Sequence, residues 1–150
     1  MFAPLKESIV KRAGEKGIVD INITDIRDFA FNKHRMVDDL VYGGGAGMVM
    51  KPEPIYEAVQ YLKRSAAGAD SPRIIITSPQ GELFSQKKAR ELSREKYLIF
   101  ICGHYEGIDD RVRELLQAEE LSIGDFILTG GELPSMVMVD SVVRLLPGVL

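Results

Sequence analysis

What this 150-residue sequence lacks narrows its chemistry before any residue is given a role. The single cysteine, Cys102, rules out an intrachain disulfide, and one Cys with two His leaves too few ligands for a closed zinc site. No apolar run reaches the roughly eighteen residues needed to span a membrane. No signal-peptide pattern opens the chain, so the cytoplasm is the default compartment. The Gly-rich stretch Tyr42–Gly47 has no G-x-G-x-x-G frame, and neither a Gly-x-x-x-x-Gly-Lys-Ser/Thr run nor a G-x-S-x-G elbow occurs anywhere. Dinucleotide-binding, P-loop and nucleophile-elbow readings therefore drop out. Cys102 ends an apolar run, which is the place of a packed core thiol rather than of a nucleophile. Positive charge is short as well. With a net charge of −3, an RNA partner needs a local basic patch or one supplied by another subunit.

What is present suits one globular domain with a real core: 45% of residues are hydrophobic and 27% charged. The spacing predicts a helix over Pro4 to Glu15, with Phe2, Leu5, Ile9 and Ala13 on one stripe and Gly17 as its stop. Val19–Thr24 alternates apolar and polar residues and predicts a strand with one wet face. Asp25 to Met50 has no clear period, and long irregular segments are commonly functional or mobile. Pro52 and Pro54 open a helix whose apolar positions Ile55, Ala58, Val59 and Leu62 share a face. Arg73–Thr77 predicts a buried strand turning at Ser78-Pro79-Gln80-Gly81, and Ser85 caps a helix over Gln86–Arg94. Tyr97–Cys102 predicts a further strand, Asp110–Ala118 a helix, and Leu121-Ser122 the end of a short strand. Pro134–Leu146 is apolar on nearly every side and predicts a buried helix. Strands alternating with helices give an α/β domain with a mainly parallel sheet. The chain begins on a helix that needs a sheet beneath it and stops just after a buried one, so both ends read as cut.

Two stretches resist reading as helix or strand. Ser122–Pro134 interleaves apolar residues with Gly124, Gly130 and Gly131, and Gly103-His104-Tyr105-Glu106-Gly107 follows the strand Tyr97–Cys102. Glycine lets a backbone approach a ligand closely, and two such loops near strand ends point to one pocket at a sheet rim. Ile123, Phe126 and Leu128 can wall a flat ring while amides and carbonyls near Gly124 and Gly130 bond its edges, a combination that suits a nucleoside such as adenine. The competing reading is a pair of tight turns beneath a sheet.

Three motifs in order, Tyr42–Gly47, Gly103-His104-Tyr105-Glu106-Gly107-Ile108-Asp109-Asp110-Arg111-Val112 and Ser122–Pro134, resemble those of the bacterial tRNA (guanine-N1)-methyltransferases, members of the SPOUT or α/β-knot superfamily. The resemblance covers essentially the whole chain. It implies a deep trefoil knot near the C-terminus, which periodicity does not reveal because knots are exceptions to the ordinary connection rules. S-adenosylmethionine would be contacted at Ser78, Pro79, Gly103, Tyr105, Glu106, Ile123, Gly124, Asp125, Phe126, Ile127, Leu128, Gly130, Gly131 and Pro134. A homodimer with active sites at the subunit interface would methylate N1 of the guanosine 3′ of the anticodon of tRNA. Magnesium is a further implied requirement, with no metal site evident in the sequence.

Moving a methyl group to guanine N1 demands alignment, a general base for the departing proton, and a cation near O6. Arg144 resembles the family's arginine for that last role; read alone, Asp140 and Arg144 stand i, i+4 and could form an ion pair. Glu106, the carboxylate of the Gly-bracketed loop, can hold the methionine ammonium or a guanine edge, and Tyr105 can flank the ligand. His104 reads as a solvated side chain, with the alternative that it faces RNA. Arg27, Lys33 and Arg35 can hold tRNA phosphates or form an ordinary solvated surface. Family members carry an extra first strand before Pro4 and, beyond Leu150, a linker with the acidic residue proposed as general base and a helical tRNA-binding domain. The expectation is therefore a cofactor-binding domain over residues 1–150 with weakened turnover, or alternatively a non-catalytic S-adenosylmethionine- or RNA-binding module.

Overall fold

The computed structural model describes residues 1–30, 38–40, 48–66, 71–104 and 107–150, without the side chains of 38–40 and 48–49. Its centre is β3 (Arg73–Leu83), flanked by β4 (Leu98–Ile101) and β5 (Glu119–Ser122) in the parallel order β4-β3-β5. Ile74 pairs with Ile99 and Ile76 with Ile101, while Thr77 lies opposite Leu121. A parallel strand covered on both faces needs apolar side chains in succession, and Ile74, Ile75 and Ile76 supply them. Alternation sends Ile74 and Ile76 to one face, against α2 (Pro52–Ser65) and α4 (Arg111–Leu116). It sends Ile75 to the other, against α3 (Gln86–Leu92) and α5 (Glu132–Val143). Ile75 and Leu121 are 0% exposed, and each such burial contributes about 1.5–3 kcal/mol against the unfolded chain. The expected α/β sheet with helices on both faces is thus found.

Local signals explain most of the helix ends. Ser85 Oγ accepts the Lys88 amide at 3.2 Å and opens α3. Pro52 supplies the first turn of α2, where its missing amide costs nothing. At the end of α1 (Ser8–Glu15), Gly17 takes φ +71°, and Ile18 N–H donates to Ala13 O while Gly17 N–H donates to Gly14 O, both at 3.0 Å. That double bond is the Schellman closure, and it requires the left-handed residue.

Three expectations need correction. The first helix is broken: a 3-10 turn over Ala3–Lys6 precedes α1, with Glu7 extended between them at φ −127° and ψ 161°. The break lets Leu5 reach the same small cluster as Val10, Ala13 and Val143. Val19–Thr24 forms no strand. Val19 and Ile21 do pack inward on that cluster, so the alternation reports one-sided burial without a ladder partner. Finally, β3 runs past the expected turn, but its register jumps from Thr77↔Leu121 to Glu82↔Leu121, so Ser78–Gly81 bulge out of the ladder. Gly81 is required where the chain returns, since a β carbon there would lie 2.6 Å from Glu120 O and Leu121 N. Within the irregular segment, β1 (Asp38–Leu40) and β2 (Met48–Met50) pair antiparallel. Lys33, Arg35 and the stretch Tyr42–Gly47 lie outside the described residues.

Candidate functional site

Because β3, β4 and β5 are parallel, their C-terminal ends meet at one edge of the sheet, and there separate stretches of the chain pass in close contact. The connection from β3 to β4 runs through α3 on one face, and that from β4 to β5 returns through α4 on the other. Such a reversal opens a crevice at the strand ends. Gly131, the N-cap of α5, fills the crossing: its N–H donates to Gly103 O at 2.8 Å, and Thr77 Oγ1 donates to Gly131 O at 3.2 Å. A β carbon on Gly131 would overlap Thr77 Oγ1 and stand 2.9 Å from Gly103 N and 3.0 Å from Cys102 Cα. Only glycine fits. One turn into α5, buried Ser135 bonds Cys102 Sγ at 3.1 Å. Burial pushes the Cys102 thiol up to about 11, partly opposed by that hydrogen bond, so it stays protonated at neutral pH. The expectation of a packed, unreactive thiol agrees with this.

The loop after β5 is shaped by Ser122, whose Oγ donates to Gly124 O at 2.9 Å and accepts the Gly124 amide at 3.1 Å. Phe126 lies across Gly124, where any β carbon would overlap its ring. Phe126 is 51% exposed and Ile127 86%, with Asp125 and Leu128 exposed beside them. Apolar side chains left open at the strand ends could serve as a partly apolar ligand wall. Ser78 is half-buried and Pro79 exposed in the bulge of β3, and the Gln80 amide bonds Ser78 Oγ at 3.2 Å. Beneath Gly103, Ile108 packs closely, and Met50 N–H donates to Gly107 O while Asp109 N–H donates to Met50 O, both at 3.0 Å. Asp109 holds Arg111 through two side-chain bonds of 3.0 and 2.7 Å, which keep its carboxyl below the usual range.

Ser78, Pro79, Gly103, Ile123–Leu128, Gly130, Gly131 and Pro134 thus gather at one edge. Tyr105 and Glu106 lie outside the described residues. Arg144 does not join them: it is the exposed C-cap of α5, about 20 Å along the helix from Gly131 at 1.5 Å per residue. It forms no ion pair with Asp140 among the described residues; only its backbone N–H reaches Asp140 O, at 3.2 Å. His104 is exposed, as expected, and its imidazole Nε2 in addition pairs with the Glu132 carboxylate. Thr77, Ser122, Glu132 and Ser135 were missed. The one sequence signal for Thr77 is a hydroxyl closing the apolar run Ile74–Ile76, whereas Ser122 follows Glu119, Glu120 and Leu121 and carries no such signal.

Residues 1–150 match the family model described as tRNA (Guanine-1)-methyltransferase TrmD. The chain belongs to that family. A tRNA (guanine-N(1)-)-methyltransferase of Geobacillus kaustophilus is 62% identical over 97% of this chain, and one of Bacillus subtilis is 58% identical over 97%. The chain spans 59% of the length of each. The crystal structure of tRNA (m1G37) methyltransferase from Aquifex aeolicus superposes with a TM-score of 0.88 at 44% identity, covering 99% of this chain and 65% of that one. The parallel sheet and its helices therefore have the SPOUT fold that the motifs implied.

Proposed function

We propose that this chain is the S-adenosylmethionine-binding domain of a cytoplasmic enzyme that methylates N1 of guanosine 37, the residue 3′ of the tRNA anticodon. The observation that carries the reading is the convergence of β3, β4 and β5 on Gly131, beside an exposed wall of Phe126, Ile127 and Leu128, in a member of this family. The residues present fit such a cofactor: apolar faces can flank a purine, and strand-end amides and carbonyls can bond its edges. S-adenosylmethionine supplies a methyl group on a sulfonium. The chain's part is to hold donor and acceptor in line and keep water out. Glu106 would hold a polar group of the donor or a guanine edge, with Tyr105 flanking it, and Arg144 would balance charge developing at guanine O6.

Arg144 can take that role only in an assembly, because within one chain it stands at the wrong end of α5. A homodimer supplies the solution. Leu133 is 50% exposed and Val137 47%, on the same stripe of α5 as Arg144, whereas the sequence predicts a helix buried all round. A second copy packed there would cover those apolar residues and bring Arg144 toward the other subunit's cofactor edge. The trefoil knot is supported by the same crossing, where Gly131 has no room for a side chain between Thr77, Cys102 and Gly103. Magnesium finds no cluster of three His, Cys, Asp or Glu residues among the described ones, and Glu106 lies outside them. Among the described residues, no helix is long and apolar enough to cross a membrane.

The test is calorimetric titration of S-adenosylhomocysteine, followed by an assay for 1-methylguanosine on anticodon-stem RNA. Saturable binding by a dimer supports the reading, with weak turnover expected of the 150-residue chain. A folded chain that binds nothing contradicts it. In the full-length protein, Glu106→Ala and Arg144→Ala should lower turnover more than His104→Ala, and equal activity of the three would remove their roles.

A further inference from the structure

We propose that Glu132 and His104 form a latch that holds the end of β4 against the start of α5 and thereby sets the affinity for S-adenosylmethionine. Its functional half rests on the cofactor site proposed above; its structural half stands on geometry alone. His104 forms an antiparallel bridge with Gly130, and its carbonyl accepts the Gly107 amide at 3.0 Å. Its backbone thus joins both glycine loops. Its imidazole then pairs with Glu132, the first residue of α5, whose side chain is only 14% exposed. A carboxylate so withdrawn from water needs a polar partner, and the imidazole provides one.

Gly130 supplies a separate observation. A β carbon there would collide with Glu132 Oε2 and stand 2.9 Å from His104 Cε1 and 3.0 Å from Nδ1. The two side chains therefore lie across the bare face of Gly130, which explains glycine at a position where its backbone angle does not demand it. Neither side chain belongs to any of the three hydrophobic clusters. The latch instead fixes how Gly103, Gly107, Gly130 and Gly131 are placed relative to one another at the proposed cofactor edge. Both residues are positioning residues. A rival role for Glu132 alone is to meet the positive end of the α5 dipole.

The test uses Glu132→Ala, His104→Ala, their double variant and Glu132→Gln in the full-length protein. We expect each alanine variant to weaken S-adenosylhomocysteine binding by about fivefold, the range of a partly exposed ion pair, and the double variant to lose no more than either. The KM for S-adenosylmethionine should rise similarly while kcat at saturation stays within about twofold. Glu132→Gln, which can still accept from the imidazole, should remain close to wild type. Amide hydrogen exchange at Gly107 and Gly131 should quicken in the alanine variants without ligand. Losses that multiply in the double variant, or wild-type affinity in both single variants, would overturn the latch. A dipole role alone predicts the reverse pattern, with His104→Ala unaffected and Glu132→Gln impaired. Should Glu132→Ala not fold, the His104→Ala and Glu132→Gln pair decides. If wild-type protein binds no S-adenosylhomocysteine, the cofactor reading fails, and the exchange rates still decide the structural half.

Discussion

The two edges of the sheet are built from different materials. At the N-terminal edge, Arg73 is held by carboxylates: Nη2 bonds Glu91 at 2.6 Å, Nε bonds Glu119 at 3.2 Å and Nη1 bonds Glu95 at 3.4 Å. Burial alone would lower the Arg73 pKa, but the Glu119 and Glu91 hydrogen bonds outweigh it and hold the guanidinium raised. A cavity of about 330 Å³, lined by Lys63, Ser71, Arg73, Glu95, Gln117 and Glu119 among others, opens beside it. At the C-terminal edge the ties run through backbone groups, the hydroxyls of Thr77, Ser78, Ser122 and Ser135, a thiol, the His104–Glu132 pair and the Asp109–Arg111 pair, with apolar side chains left open. The charge and the cavity thus mark the edge that steadies the sheet. The edge where glycine is forced by close backbone approach suits the proposed site, because recognition of a small ligand needs few, well-placed polar groups and little net charge.

Breaking the C-terminal edge should have the largest effect. Gly131→Ala should destabilise the protein by about 3 kcal/mol, the upper range for overpacking, and abolish S-adenosylhomocysteine binding, as thermal melting and calorimetry would show. Arg73→Met should cost about 1 kcal/mol after solvent screening, since it leaves three carboxylates without their shared cation, yet keep ligand affinity unchanged. A larger loss of affinity from Arg73→Met than from Gly131→Ala would invert the comparison.

The charged edge also makes stability depend on pH. Hydrogen bonds from Arg73 and Lys88 depress Glu91 below its ordinary 4.5, and Arg111 depresses Asp109 below 3.8. Their stabilisation is present above those ordinary values and is lost as pH falls through the lower folded ones. Lys88 is raised above 10.5, chiefly by its bond to Glu91; that stabilisation is complete below 10.5 and lost as pH rises through the higher folded value. Tm measured across pH should therefore fall at both extremes, and Arg73→Met should flatten the acid limb. The mildest probe is alkylation of Cys102 at pH 8. A rise from 9.0 to about 11 leaves about a hundredfold less thiolate than an ordinary cysteine, so reaction should be slow until the chain is unfolded.

Legibility in the sequence followed the range of the forces involved. Gly17, Ser85 and Pro52 act within a few residues, so the end of α1 and the starts of α3 and α2 could be read from their neighbours. Val19 and Ile21 alternate as a strand would, yet pairing depends on a neighbour that no local pattern names. The same limit hid the contacts of Gly131: Thr77 lies 54 residues away in sequence, and nothing near either residue announces their meeting. The glycines themselves were visible, which is why this edge could be picked out as the candidate. The pairing of His104 with Glu132 was not, because a loop histidine is ordinarily solvated. Exposure of Leu133 and Val137 departed from expectation for a different reason, since apolarity on every side of α5 does not say which of its faces the rest of the chain covers.

The most direct test of the two-edge account is to follow backbone amide resonances of the 150-residue chain while adding S-adenosylhomocysteine. The account predicts shifts at Gly103, Gly107, Ile123–Leu128, Gly130 and Gly131, with Arg73, Ile74, Glu95 and Gln117 unmoved. Shifts centred on the Arg73 cavity, with the glycine edge silent, would contradict it.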